Sequence, residues 1–215
     1  LHLLVVLTQD YDVALMNPPY GSGGRMPNQV QKYVEDNYEY TSEYYINFFE
    51  ANDRLVRVNG RVGMLVPRSF MFLKSFQSFR EDFIGGRGTF DFLTEFGVGI
   101  LDNATVRPAG TVVRSDNSQN NQEGTFIRLD DVAKENKERS FLHASFVSRN
   151  ESGIKRRYDR NLSEFDIVPG SPLTYWVPKE IREIYNSNVV LDAENGKVNA
   201  ESSGSAKVGL QTSDD

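Results

Sequence analysis

The chain has no cysteine and only two histidines, at positions 2 and 143 of its 215 residues. With no thiols, a disulfide framework, a thiolate metal site and a cysteine nucleophile are all excluded, which suits a cytoplasmic protein. Two histidines are too few for an imidazole-based metal centre, so no metal is expected. Long apolar runs are also missing. The most apolar start, Leu1-His2-Leu3-Leu4-Val5-Val6-Leu7, is too short to cross a bilayer and has no basic leader, so it reads as a strand or a loose end and no membrane partner is expected. An excess of positive charge is lacking too, since the net charge is −6. The bases nevertheless cluster along the chain. Seven lie between Arg54 and Arg87 against Glu81 and Asp82, and five between Arg149 and Arg160 against Glu151 and Asp159. Such runs either face a phosphate backbone or are ordinary solvated surface.

Aromatic residues are abundant, with 14 Phe and 10 Tyr, enough to bury the core of one domain or slightly more. Tyr11 to Met16 is a short apolar run stopped by Pro18-Pro19, which predicts a buried strand closed by a loop. Thr41 or Ser42 can cap a helix whose stripe is Tyr44, Tyr45, Phe48, Phe49, Leu55 and Val56. Asn59-Gly60 signals a turn, and Arg61 to Val66 reads as a second buried strand. Near-helical spacing of apolar residues follows over Phe70 to Ile84, closed by Gly85-Gly86. Strand, helix, strand, helix is an α/β layer with two parallel strands. Beyond it, Phe90 to Phe96, Gly110 to Arg114 and Thr125 to Leu129 are short strand candidates, read as an antiparallel finish to the sheet. A short helix is expected over Lys179 to Tyr185. From Asp192 the composition predicts a poorly ordered tail.

The chemistry concentrates in YDVALMNPPYG, residues 11–21. Ligands of parallel α/β sheets sit beyond the carboxyl ends of the strands, where Asn17 begins. The Asn17 side-chain oxygen and the Pro18 carbonyl are two acceptors, held by proline rings that fix φ. Two fixed acceptors aimed at one point suit an amino group, and Tyr20 offers a flat face for a base taken out of its stack. The same four residues also suit a polyproline-type ligand or a plain strand terminator.

This segment resembles the catalytic signature of S-adenosylmethionine-dependent amino-methyltransferases, in the form typical of DNA adenine-N6 enzymes. GRVGMLVPRSFMFLKSFQSFRE (60–81) is similar to the strand and helix that follow it in methyltransferases of the type IIG restriction and BREX phage-defence kind. TFIRLDDV (125–132), FDIVPGSPLTYWVPKEI (165–181) and KVGLQTSDD (207–215) resemble later stretches of the BREX enzymes, with Ser213 where glycine is expected. The resemblance implies an α/β fold, the later half of a Rossmann-like methyltransferase domain with antiparallel strands at the end of the sheet. It implies that Asn17 and Pro18 bind the adenine amino group, Asn17 also bordering the methyl donor, and that Tyr20 stacks on the flipped base. Double-stranded DNA is the implied partner, with Arg68, Lys74, Lys155, Arg156 and Arg157 as its candidate contacts. S-adenosylmethionine is the implied cofactor.

The expected domain plan is a carboxyl-side half of the catalytic domain over residues 1–132, a connecting region with a basic run over 133–191, and a tail over 192–215 leading toward a specificity domain. In such enzymes a Gly-rich turn upstream of the Asn-Pro-Pro-Tyr motif binds the donor, and only sixteen residues precede Asn17. Phe96-Gly97-Val98-Gly99 is a weak substitute, because no helical pattern follows it over Leu101–Arg107. The expectation is therefore a carboxyl-side part of a catalytic domain, inactive alone, whose donor site is completed by an upstream half or by other defence-system subunits. Two alternatives keep parts of this reading: a non-catalytic DNA-binding or assembly subunit, and a methyltransferase acting on RNA or on protein glutamine.

Overall fold

The computed structural model of the chain describes residues 6, 8–21, 26–84, 86–101, 106–115, 123–147 and 153–184. The expectations for residues 1–5, for Arg149 and Glu151, and for the tail from Asp192 with Ser213 lie outside these residues. The chain divides into two compact units, residues 1–176 and 177–215. In the second, the described residues hold one helical turn, Lys179–Arg182, with a Lys179–Glu183 ion pair of 3.5 Å. No helix of the described residues is long and apolar enough to cross a membrane.

The first unit is built on one mixed sheet of six strands, β1 (Tyr11–Met16), β2 (Val56–Pro67), β3 (Gly88–Glu95), β4 (Pro108–Ser115), β5 (Glu123–Arg128) and β6 (Arg157–Asn161). Their order is β1-β2-β4-β3-β5-β6. β1 and β2 are parallel, as expected, and so are β3 and β5. The antiparallel strands are not gathered at the end of the sheet. β4 runs between β2 and β3, antiparallel to both, and β6 closes the far side against β5. Small residues let β4 enter there: a side chain at Gly110 would come within 2.8 Å of the Phe96 ring. Because β4 occupies one side of β3, β5 adds to the other.

Two helices, α1 (Asn28–Asn37) and α2 (Tyr44–Asp53), lie between β1 and β2; α3 (Lys137–Phe146) follows β5. α1, α3 and β6 have no counterpart in the sequence reading, since their polar composition conceals the pattern. The cap of α2 differs from the expected one. Glu43 occupies the cap position without a side-chain bond, and Ser42 Oγ instead donates to the Ser75 carbonyl at 3.0 Å. Asn59-Gly60 is no turn between elements: Asn59 takes a φ of 66° inside a continuous β2, where the register against β1 is irregular.

The helix expected over residues 70–84 is broken into turns, Arg68–Met71, Lys74–Phe76 and a π-helical turn Phe79–Ile84. Arg80 ties these turns together. Its buried guanidinium takes the Phe70 and Leu73 carbonyls, at 2.7 and 2.9 Å, and twice takes that of Gly170.

One face of the sheet carries the core. Phe49, Phe70, Phe79, Phe83, Phe90, Phe126, Phe165 and Tyr175 are all buried there, with Phe126 stacked on Tyr175 at 5.0 Å. The opposite face is covered much less. Ile127, Leu129 and Ala144 form a small cluster with Phe92 and Phe141 near α3. Toward β1 the same face opens into a groove of about 510 Å³, and Val13 and Leu15 remain 51% and 78% exposed. Among the described residues β1 pairs only with β2, so its outer side is a free strand edge.

Candidate functional site

Asn17 leaves the carboxyl end of β1, beside the parallel end of β2, so the motif stands where α/β sheets place ligands. Asn17 is exposed, Pro18 is buried and Tyr20 is half-buried. Burial of Pro18 fixes the loop as it turns off the strand, and leaves the Asn17 amide facing outward. Tyr20 Oη donates to the Leu65 carbonyl on β2 at 3.0 Å and lies 3.3 Å from Asn17 Oδ1. One phenolic proton therefore ties the loop both to the neighbouring strand and to its own asparagine. Burial pushes the Tyr20 hydroxyl above its ordinary pKa, which keeps that proton in place.

A second layer sets the Tyr20 ring. Tyr45 of α2 meets it edge to face at 6.5 Å, and Tyr45 Oη bonds Ser69 Oγ at 3.0 Å. Tyr45 is fully buried, and burial raises its pKa well above that of a free tyrosine. The Tyr44 amide donates to the Gly21 carbonyl at 3.1 Å, and its ring stands where a side chain at position 21 would come within 3.2 Å. Asn52 of α2 reaches Met16 Sδ at 3.7 Å, so the strand end is held from below. Tyr44, Tyr45 and Ser69 are supports that the motif alone does not disclose; the aromatic pair at the start of α2 was the only cue.

Three of the five basic candidates share one end of the sheet with Asn17. Arg68 follows β2, and Arg156 and Arg157 stand at the start of β6, which runs antiparallel to β5; all lie at the same end of the sheet as Asn17. Arg68 pairs with Glu95 at 2.7 Å, Arg156 with Asp131 and Arg157 with Asp159 at 2.9 Å. The Arg156 guanidinium holds the Asp131 carboxyl below its usual range. Lys155 Nζ sits 4.7 Å over the Tyr158 ring, and Lys74 is exposed on the turn after β2. Five strand spacings separate β1 from β6, roughly 24 Å, so Arg156 and Arg157 are remote from Asn17 while Arg68 is adjacent.

The groove beside Asn17 is lined by Leu15, Gly63, Leu65, Phe92, Phe96 and Phe141, among others, with no charged side chain. S-adenosylmethionine carries a zwitterionic amino-acid end and ribose hydroxyls, which such a wall cannot satisfy. These residues do not by themselves fit it. Phe96-Gly97-Val98-Gly99 does not form a donor-binding glycine turn. A side chain at Gly97 would come within 2.6 Å of Asp130 Cα, and bends rather than a helix follow over residues 98–101.

Comparison with known proteins places these features. Residues 5–97 match the family of Eco57I restriction-modification methylases. The adenine-specific methyltransferase PglX of Lacticaseibacillus casei (strain Zhang) is 28% identical over 203 residues, covering 88% of this chain and 16% of the relative. The adenine-specific methyltransferase BrxX of Escherichia coli O9:H4 (strain HS) is 25% identical over 175 residues, covering 80% and 14%. The chain thus spans about one sixth of the length of these relatives. Among solved structures, the methyltransferase subunit of a type I restriction-modification system from Streptococcus thermophilus superposes with a TM-score of 0.53 at 15% identity, over 78% of this chain and 38% of that one. The fold is accordingly a mixed sheet of the Rossmann-like class that this methyltransferase subunit shares. The resemblance read from Tyr11–Gly21 holds: residues 5–97 match the Eco57I restriction-modification methylase family, and most of the chain is similar to adenine-specific methyltransferases.

Proposed function

We propose that this chain supplies the acceptor pocket of an adenine-N6 DNA methyltransferase that marks DNA in phage defence or restriction-modification. The observation that carries the reading is the Asn17–Tyr20 loop at the carboxyl end of β1, with Tyr20 anchored to Leu65 and its ring set by Tyr45. In this role Asn17 Oδ1 and the Pro18 carbonyl accept the two N–H bonds of the adenine amino group. That orients the nitrogen lone pair outward along one direction, and the Tyr20 ring carries the flipped base. No shifted general base is needed for binding in this geometry. S-adenosylmethionine supplies the methyl group in such enzymes, and its polar contacts belong to residues beyond the apolar groove described here. The domain plan of residues 1–132, 133–191 and 192–215 stays part of the proposal, with the observation that β6, within the second segment, extends the sheet of the first.

The test is the methylome of the native host. With the gene intact, N6-methyladenine is expected at a defined DNA motif in single-molecule sequencing, and Asn17→Ala is expected to abolish it. Undiminished methylation in Asn17→Ala cells would overturn the reading.

A further inference from the structure

Five arginines line the rim formed by the carboxyl ends of β2, β3 and β5 and the starts of β4 and β6: Arg68, Arg107, Arg128, Arg156 and Arg157. Four have a carboxylate. Arg68 has Glu95, Arg128 has Asp130 at 2.9 and 3.0 Å, Arg156 has Asp131 and Arg157 has Asp159. Arg107 is exposed and forms no ion pair among the described residues.

Its position makes this informative. Pro67 and Pro108 are the last pair of the antiparallel β2–β4 ladder, so Arg68 and Arg107 face each other one step beyond it. The Arg68 amide donates to the Arg107 carbonyl at 3.1 Å, which holds the two backbones together. Like charges directly opposite one another across a ladder cost stability. Buried Glu95 compensates only one of them, leaving one surplus positive charge at this spot. Between the two arginines lies a cleft of about 270 Å³, to which Ser69 and Phe72 also contribute. Phe72 supports the Arg68 guanidinium at 5.8 Å, and Ser69 is the residue that Tyr45 bonds behind Tyr20. The cleft therefore opens one or two strand spacings from Asn17, roughly 5–10 Å along the rim.

We infer that the Arg68–Arg107 cleft is a subsite for one backbone phosphate of the DNA strand whose base enters the Asn17 pocket. A phosphodiester supplies the single negative charge that the pair lacks. Its oxygens accept from the Arg107 guanidinium, from the Arg68 N–H groups that Glu95 leaves free and from Ser69 Oγ. Glu95 keeps Arg68 in place without cancelling Arg107. This inference rests on the proposed function, since the phosphate is taken from the strand that presents the base.

The test is the salt dependence of duplex binding by the purified chain, read by fluorescence anisotropy with a labelled mixed-sequence DNA. Arg107→Gln is expected to reduce the slope of log K against log salt by about 0.9. The affinity loss between about 50 and 200 mM salt then shrinks by about 3.5-fold. Arg107→Lys is expected to restore most of the slope. An Arg107→Gln slope equal to that of the unmodified chain overturns the subsite and leaves the proposed function standing. A lowered slope beside an unchanged methylome in Asn17→Ala cells leaves a phosphate contact at Arg107 but overturns its assignment to a strand presenting a base to Asn17. Absence of any duplex binding by the unmodified chain overturns the subsite.

Discussion

The Tyr175 hydroxyl donates to the Glu95 carboxylate across 2.5 Å, joining residues eighty positions apart. Glu95 is fully buried at the end of β3, and its other oxygen takes Arg68 at 2.7 Å. Residues 165–176 thus strap the turn after β2, with the Leu173 amide on the Met71 carbonyl at 2.9 Å and Arg80 on Gly170. Removing one donor leaves a buried carboxylate oxygen without its partner. Tyr175→Phe is therefore expected to cost about 1–3 kcal/mol, seen as a lower urea midpoint at unchanged m. An unshifted midpoint would show that the phenol contributes no net stability.

Two buried phenols set the alkaline limit of the fold. Burial raises the pKa of both Tyr45 and Tyr175 above the ordinary value of 10.0. A raised pKa means that the folded chain holds protons which the unfolded chain gives up. Their contribution is fully present below about pH 10 and is lost as pH climbs toward the folded-state values. Urea midpoints measured from about pH 8 to about pH 11 should fall along this limb. The fall should be shallower for Tyr45→Phe, although that variant starts lower because it has lost the Ser69 bond. An equally steep limb in the variant would remove Tyr45 from the account.

The parts of this molecule that were legible in the sequence are those where one local rule dominates. Pro18-Pro19 after an apolar run can only end a strand, and Asn17 and Tyr20 lie beyond β1 as that rule requires. Parallel pairing of β1 and β2 followed from the helix between them. Long-range partners were illegible. Nothing near residue 80 announces that Arg80 will take carbonyls at 70, 73 and 170, or that the expected helix is a run of separate turns. Nor does the local sequence place β4 between β2 and β3, since pairing on both sides depends on chain reversal after Glu95. Arg107 belongs to neither basic run. The one available cue was the mirrored pair Pro67-Arg68 and Arg107-Pro108 at two strand ends.

In the proposed acceptor pocket, ring and hydroxyl of Tyr20 take separable roles. On the proposed reading the ring is the stacking face, while the hydroxyl ties the loop to Leu65. Base stacking on an aromatic ring contributes about 1–3 kcal/mol, so Tyr20→Ala should lower methylation rates by roughly 5- to 150-fold. Tyr20→Phe keeps the ring, frees Asn17 Oδ1 from its 3.3 Å neighbour and should retain most of the activity. Initial rates on the motif found in the native methylome, with the protein taken from the host, distinguish the two. Equal loss in both variants would assign the role to the hydroxyl instead of the ring.

The open face of the sheet should behave as an association surface. Leu15 is 78% exposed beside Val13 on a strand whose outer edge has no partner among the described residues, next to an apolar groove of about 510 Å³. Exposed apolar groups on an unpaired edge favour pairing with another chain. Leu15→Gln removes little buried area within this chain, so its folding stability should change by less than about 0.5 kcal/mol. The same substitution should shift the chain toward the monomer in sedimentation velocity. If Leu15→Gln instead lowers the urea midpoint strongly, the leucine is packed inside this chain in solution. If it alters neither midpoint nor sedimentation, the face does not drive self-association, and its apolar side chains are available to a different partner.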